Sequence, residues 1–299
     1  MDDEYDGYES DGLLYYGEGG PLHDRWRVRE GLDLWVVRGF MQNELELDPS
    51  GVLDRLDKNY FHRGKGQAII PGLPQWVDGD NEALHIRGRP LKRSKMWFQS
   101  TPIAETGYLR YGYTGWQWRV LPATSCVRDC PEMKTIFDAY HEWWDRKASS
   151  EYSAPNHAIV TMYKDGSEYI GQHQDKTADL DKDTLISVVK LGEDARPFQI
   201  VEKEYDRVLF HDVLRPGDAV IMSTSANKEV THGVPPIEGA GPNVSGSVVF
   251  RTVRTAFKVG RVAQEIESTE RQRKKTVEAK LARAAERDAG DVGGGKKQK

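Results

Sequence analysis

The sequence predicts an α+β chain whose core is a β-sandwich or jelly-roll with helices on one side. Three observations predict it. Six short β-type runs follow one another between residues 157 and 257, turn formers separate them, and a helical pattern precedes them. Its 299 residues are enough for one large domain or two small ones with a sizeable core.

The elements take their places in chain order. Residues 1–25 are acidic and glycine-rich and read as a disordered arm. Hydrophobic patterning is then sustained from Trp26 to about residue 259, the span of the main domain. Within it, PEMKTIFDAYHEWWDRKA (131–148) spaces Ile136, Phe137, Tyr140, Trp143 and Trp144 along one helical face, as core packing does. HAIVTMY, DTLISVVKLG, RPFQIVE, RVLFHDVL, DAVIMS and SGSVVFRTVRTAF are the strands. Lys164-Asp165-Gly166 and Arg215-Pro216-Gly217-Asp218 mark turns between them. Residues 260–299 read as a charged C-terminal helix, over 261–287, and a disordered tail.

Composition narrows the function classes. No apolar run approaches the roughly 20 residues that cross a bilayer, and the acidic start has no signal-peptide pattern. An intracellular protein, nuclear or cytoplasmic, is the expectation, with no membrane partner. Cys126 and Cys130 stand four apart with no other Cys and no His nearby in sequence, which favours reduced thiols over a disulfide or a zinc knuckle. The net charge of -5 does not by itself suggest a nucleic-acid partner, but its distribution is uneven. Residues 84–119 carry seven Lys or Arg against the single acid Glu105, and a polyanion responds to local charge.

YKDGSEYIGQHQDK (163–176) holds the chemistry. On an extended strand His173 and Asp175 would share a face, about 6.5 Å apart. His232, in KEVTHGVPP, lies between the DAVIMS strand and a proline turn, where it can reach a barrel mouth. Two His and one carboxylate occupy three corners of an octahedron and leave three free, as Fe(II) oxygenases require for an oxo-acid and O2. A closed four-ligand zinc site leaves no such room. His23, His62, His85, His141, His157 and His211 lack a carboxylate or second His at ligand spacing and read as surface or core residues. Downstream, Arg251 and Arg254 lie three apart in an apolar strand, so only one should point inward, where an anionic partner would offset its burial.

YKDGSEYIGQHQD resembles the signature of the AlkB-like 2-oxoglutarate and Fe(II) dioxygenases, N-x-Y-x-D-G-x-x-x-I-G-x-H-x-D. The similarity continues through ISVVKLGEDARPFQI and LRPGDAVIMSTSANKEVTHGVP, with YLRYGYTG like the family's aromatic hairpin upstream. Residues about 90 to 257 are covered, with pieces in the family's order and spacing. The resemblance implies a double-stranded β-helix that holds Fe(II) through His173, Asp175 and His232. It implies oxidative decarboxylation of 2-oxoglutarate by O2, coupled to hydroxylation of a substrate C–H bond. Tyr163 matches the tyrosine directed at 2-oxoglutarate. The family's last strand carries two arginines six apart. Arg251 takes the second place, and the first falls on Ser245. The distal carboxylate of 2-oxoglutarate then falls to Arg251, or to Arg254 after a register shift, and Arg251 is favoured. Thr161 replaces the family's asparagine, and Lys176 and Thr177 replace acids that often follow the HxD.

The resemblance also places a nucleotide-recognition lid near 85–119. Arg87, Arg89, Lys92, Arg93 and Lys95 would contact phosphates of DNA or RNA, and Tyr111 and Tyr113 would stack on an extruded base. Trp97, Phe98, Trp116 and Trp118 read either as part of that surface or as packing. The leading expectation is oxidation of a modified nucleobase, by dealkylation or stable hydroxylation. A protein or small-molecule hydroxylase is the alternative. A non-catalytic reader is least favoured, since all three ligands are present.

Overall fold

The computed structural model describes residues 26–258 except 71, 87–88, 103–104, 106, 111–123, 238–243 and 255, together with residue 275. The acidic arm and the C-terminal helix and tail (residue 275 aside) lie outside the described residues, as do Arg87, Tyr111, Tyr113, Trp116 and Trp118.

Two sheets dominate. The larger has β1 (Leu34–Val37), β2 (His62–Arg63), β3 (Trp76–Val77), β6 (Ser94–Gln99), β8 (Thr124–Cys126), β9 (His157–Tyr163), β11 (Leu185–Gly192), β14 (Ala219–Ser223) and β16 (Ser245–Arg251). Their order is β1-β14-β11-β16-β9-β6-β3-β2, with β8 pairing to β6. The smaller has β10 (Ile170–His173), β12 (Arg196–Glu202), β13 (Arg207–Leu214) and β15 (Val230–Val234), ordered β10-β15-β12-β13. Two short ribbons stand apart: β4 (His85–Ile86) with β5 (Arg89–Pro90), and β7 (Tyr108–Arg110) with β17 (Ala256–Lys258). From β9 onward the chain passes back and forth between the two sheets, returning to the larger at β11, β14 and β16.

Alternation along the strands decides what each face does, because neighbouring side chains on a strand point to opposite sides. On β9, Ala158, Val160 and Met162 pack in the cluster that also contains Leu53, Ile136, Phe137, Tyr140 and Trp143 from the helices. Those helices are α2 (Val52–Asn59) and α3 (Pro131–Lys147), after the short α1 (Phe40–Asn43). Tyr140 stacks on Phe250 with ring centroids 4.1 Å apart and shares a 2.6 Å hydrogen bond with Ser187. On the opposite face, Tyr163, Ile186, Val188, Val220 and Met222 meet Phe198, Ile200, Val230 and Val234 of the smaller sheet. The helical stripe predicted over 131–148 is therefore core, and helices cover one side of the larger sheet.

One expectation is corrected. The segment 85–119 is not a lid throughout, because Ser94–Gln99 is a strand of the larger sheet, hydrogen-bonded to β9 and almost fully buried. Trp97 packs against Val77, Leu84 and Ile159, and Phe98 lies in the helix-side core, so both are packing residues. Cys126 and Cys130 are buried and free. Among the described residues no helix is long and apolar enough to cross a membrane.

Candidate metal and co-substrate site

His173, Asp175 and His232 come together between the sheets. One ligand atom from each lies within 4.8 Å of the others. His173 Nε2 is 3.6 Å from Asp175 Oδ1, and His232 Nε2 is 4.0 Å from it. His173 ends β10 and pairs in register with His232 on β15, which brings the two rings to 4.5 Å between centroids. Gly233 makes this approach possible: a Cβ there would meet Ile170 O at 2.9 Å.

Asp175 reaches the site by a different route from the one its spacing suggested. β10 stops at His173, so Asp175 is not a strand neighbour of that residue. Asn227 instead holds its backbone, accepting from Asp175 N at 3.0 Å and donating to Asp175 O at 2.9 Å. Asn227 belongs to α4 (Thr224–Glu229), the turn of helix between β14 and β15, and is buried. Sequence reasoning missed it. Its signal is an asparagine inside STSANKEVTHG, five residues before His232.

The protonation states suit a cation. Because a carbonyl only accepts, Gly171 O, 2.9 Å from His173 Nδ1, places the proton there and leaves Nε2 its lone pair. Burial pushes His232 down to about 4, against the pull of Asp175, so the ring is neutral near pH 7. Burial works to raise Asp175, but the neighbouring imidazoles of His173 and His232 and the charge of Arg251 outweigh it and keep the carboxyl well below its usual range. Two imidazoles with Nε2 turned to one carboxylate form a donor set that fits a divalent ion of the iron type.

The triad lines a cavity of 790 Å³. Its walls include Tyr163, Val188, Phe198, Ser247, Val249 and Arg251, and its rim carries Arg89, Lys92, Arg93, Tyr169 and Lys176. Lys95, on β6, and Asp179 line it as well. Arg251 is buried, and its Nε donates to His157 Nδ1 at 3.3 Å. His157, pushed well below its usual value by burial and by Arg251, is a neutral acceptor for that bond. Arg254 lies beyond the end of β16. It is exposed, donates to Ala178 O and does not line the cavity, so the alternative in which it supplies charge to the co-substrate is withdrawn. Arg196, passed over in the sequence, is buried and donates to the backbone carbonyls of Asp165, Gly166 and Glu168, securing the turn that leads into β10.

Residues 85–273, more than half of the chain, match the profile of the 2OG-Fe(II) oxygenase superfamily. The chain belongs to that superfamily. The oxygenase is thus a dioxygenase that uses Fe(II), 2-oxoglutarate and O2. Solved structures similar to it include "The structure of OsALKBH1", at 18% identity and a TM-score of 0.39, covering 74% of this chain and 97% of that one. A 2OG-Fe(II) oxygenase family oxidoreductase from Burkholderia pseudomallei follows, at 15% identity and 0.43, covering 81% and 95%. A Trichoplax adhaerens prolyl hydroxylase in complex with a hypoxia inducible factor peptide fragment has 10% identity and 0.42, covering 77% and 89%. Comparison with curated proteins returned no match. The family assignment of this oxygenase therefore rests on the profile match.

Proposed function

We propose that this oxygenase is AlkB-like within its superfamily and oxidises a C–H group, foremost an N-methyl group, on a modified base of DNA or RNA. The passage of β9–β16 between two sheets is then the winding of a double-stranded β-helix. His173, Asp175 and His232 would hold the iron. Tyr163 and Arg251 would contact 2-oxoglutarate.

When bound, iron and 2-oxoglutarate supply the activation of O2, with release of succinate and CO2. The chain's own residues supply placement. Neutral His232 and ionised Asp175 need lose no proton to receive Fe(II). Ile159, Val188, Phe198, Val234 and Val249 line the cavity with apolar surface that keeps water from the reacting C–H group. Hydroxylation of an N-methyl carbon gives a hemiaminal that collapses to the free base and formaldehyde.

The observation that carries the nucleic-acid reading is the cation array around this one cavity. Arg89, Lys92, Arg93, Lys95 and Lys176 border the space into which the triad opens. Tyr169, 41% exposed at the same rim, offers an aromatic face to an extruded base. Phosphates fit the first feature and a flipped base the second.

The test is succinate formation with Fe(II) and 2-oxoglutarate over a panel of methylated oligonucleotides, with formaldehyde detection. Formaldehyde released with one member supports demethylation. Succinate with a stable hydroxylated base supports hydroxylation. Succinate indifferent to every oligonucleotide overturns the nucleic-acid reading in favour of a protein or small-molecule substrate.

A further inference from the structure

At the end of the cavity opposite Arg251 lies a recess of 20 Å³, more than a water molecule needs. Tyr163, Lys190, Arg196, Ser245 and Ser247 are among its lining residues. It shares Tyr163, Val188, Phe198, Val234 and Ser247 with the larger cavity, so the two adjoin across those side chains.

Two groups there have hydrogens left to place. Lys190 is 4% exposed, and among the described residues its Nζ donates only to the neighbouring carbonyl of Leu191, although an ammonium has three hydrogens to place. Ser245 is fully buried, and its Oγ has no hydrogen-bond partner among the described residues. The acids nearest Lys190 are engaged elsewhere or too far to pair. Asp218 accepts from Arg38 and from the backbone of Gly39 and Arg215, and Glu193 accepts from Gly51 N. Neither these two nor Asp194 forms an ion pair with Lys190. Burial accordingly pushes Lys190 down to about 7. A buried charge left this way costs stability unless an anion joins it.

Arg196 is less available, since its guanidinium already serves three backbone carbonyls. Arg251 stands at the metal end, beside Asp175. Lys190 pairs in register with Ser247, four residues before Arg251 on β16, so the two cations lie about 13 Å apart along the strand, one lining the recess and the other the adjoining cavity. Two cations at two ends match a ligand with a carboxylate at each end.

We propose that Lys190, assisted by the Ser245 hydroxyl, holds the distal carboxylate of 2-oxoglutarate, and that Arg251 serves the metal end. This replaces the sequence expectation that Arg251 binds the distal group. A carboxylate supplies acceptor sites for both donors at once. It also explains how serine can stand where the AlkB-like pattern has arginine: the charge comes from the neighbouring strand.

Calorimetry on the full-length Fe(II)-loaded protein under anaerobic conditions tests this without turnover and without nucleic acid, so its outcome is independent of the substrate reading. The probes are 2-oxoglutarate and 2-oxobutyrate, which share the oxo-acid end but differ in the distal carboxylate. The wild type should bind 2-oxoglutarate much more tightly. Lys190→Met should weaken 2-oxoglutarate at least tenfold, leave 2-oxobutyrate within about twofold, and so collapse the ratio, the size of effect expected when a charged hydrogen bond is lost. Arg251→Met should weaken both oxo-acids and preserve more of the ratio. Lys190→Gln serves as the second variant should Lys190→Met fail to bind Fe(II). A ratio retained in either Lys190 variant that binds Fe(II) overturns the proposal.

Discussion

Asn227 closes a two-way hydrogen-bond bracket on the backbone of Asp175, 52 residues away, with contacts of 3.0 and 2.9 Å. The carboxylate between the two histidines thus owes its position to a side-chain amide on α4 rather than to a strand. Asn227→Ala should preserve the fold at a cost of about 1–3 kcal/mol, since Asp175 keeps its side chain but loses two buried partners. Fe(II) affinity or turnover should fall about 10–100-fold, the usual cost of removing support behind a ligand. Metal titration beside thermal unfolding checks both, and unchanged affinity would refute the bracket's role.

Loss of Asp175 itself should be more severe. A divalent ion that binds only the folded chain stabilises it by about 2.7 kcal/mol at a hundredfold excess over Kd. Mn(II) under nitrogen should raise the Tm of the wild type, and a chelator should reverse the rise. Asp175→Ala should show no metal-dependent shift and form no succinate. An equal shift in the variant would place the ion elsewhere.

The cation rim makes a prediction in salt. Each phosphate contact that is lost should reduce the slope of log affinity against log salt by about 0.9 for duplex or about 0.7 for single strands. Arg89→Gln, Lys92→Gln and Arg93→Gln, measured one at a time by fluorescence anisotropy, should each lower it by that order. Arg93 has a second duty, donating to Tyr169 O at 3.1 Å, so its variant should also disturb the aromatic at the rim. Slopes equal to wild type in all three would remove these residues from the interface.

His62 predicts a pH dependence of stability away from the metal site. Its ring nitrogens lie 2.8 Å from Asp78 and 2.9 Å from Asp57. The hydrogen bond to Asp78 raises His62 above 6.5 against the opposing effect of burial. Burial works to raise Asp78, but the bonds from His62 and Ser94 and the charge of Lys164 carry it down to about 2. The His62 contribution is complete below 6.5 and is lost as pH rises through the folded value. The Asp78 contribution is complete above 3.8 and is lost as pH falls towards about 2. The Tm advantage of wild type over His62→Gln should therefore be largest at about pH 4–6 and shrink towards about pH 8. A constant difference across that range would mean that His62 does not titrate in the folded protein.

Much of this site is written locally. The strands HAIVTMY, RPFQIVE and RVLFHDVL are visible because β-type residues run together between turn formers, a property of the chain itself, and each is found where expected. His173, Asp175 and His232 are legible from the chemistry of their donor atoms together with the likeness of their segments to the AlkB-like signature. Three further features depend on which strands become neighbours. Asn227 reaches Asp175, His62 gains carboxylates 5 and 16 residues away, and Lys190 and Ser245 come to line one recess. A local pattern records which way a side chain points, and only the pairing of distant strands and the return of α4 onto β10 determine what it finds there. The sequence by itself thus determined the donor atoms and the strand faces, and the tertiary structure decided the partners that hold them in place.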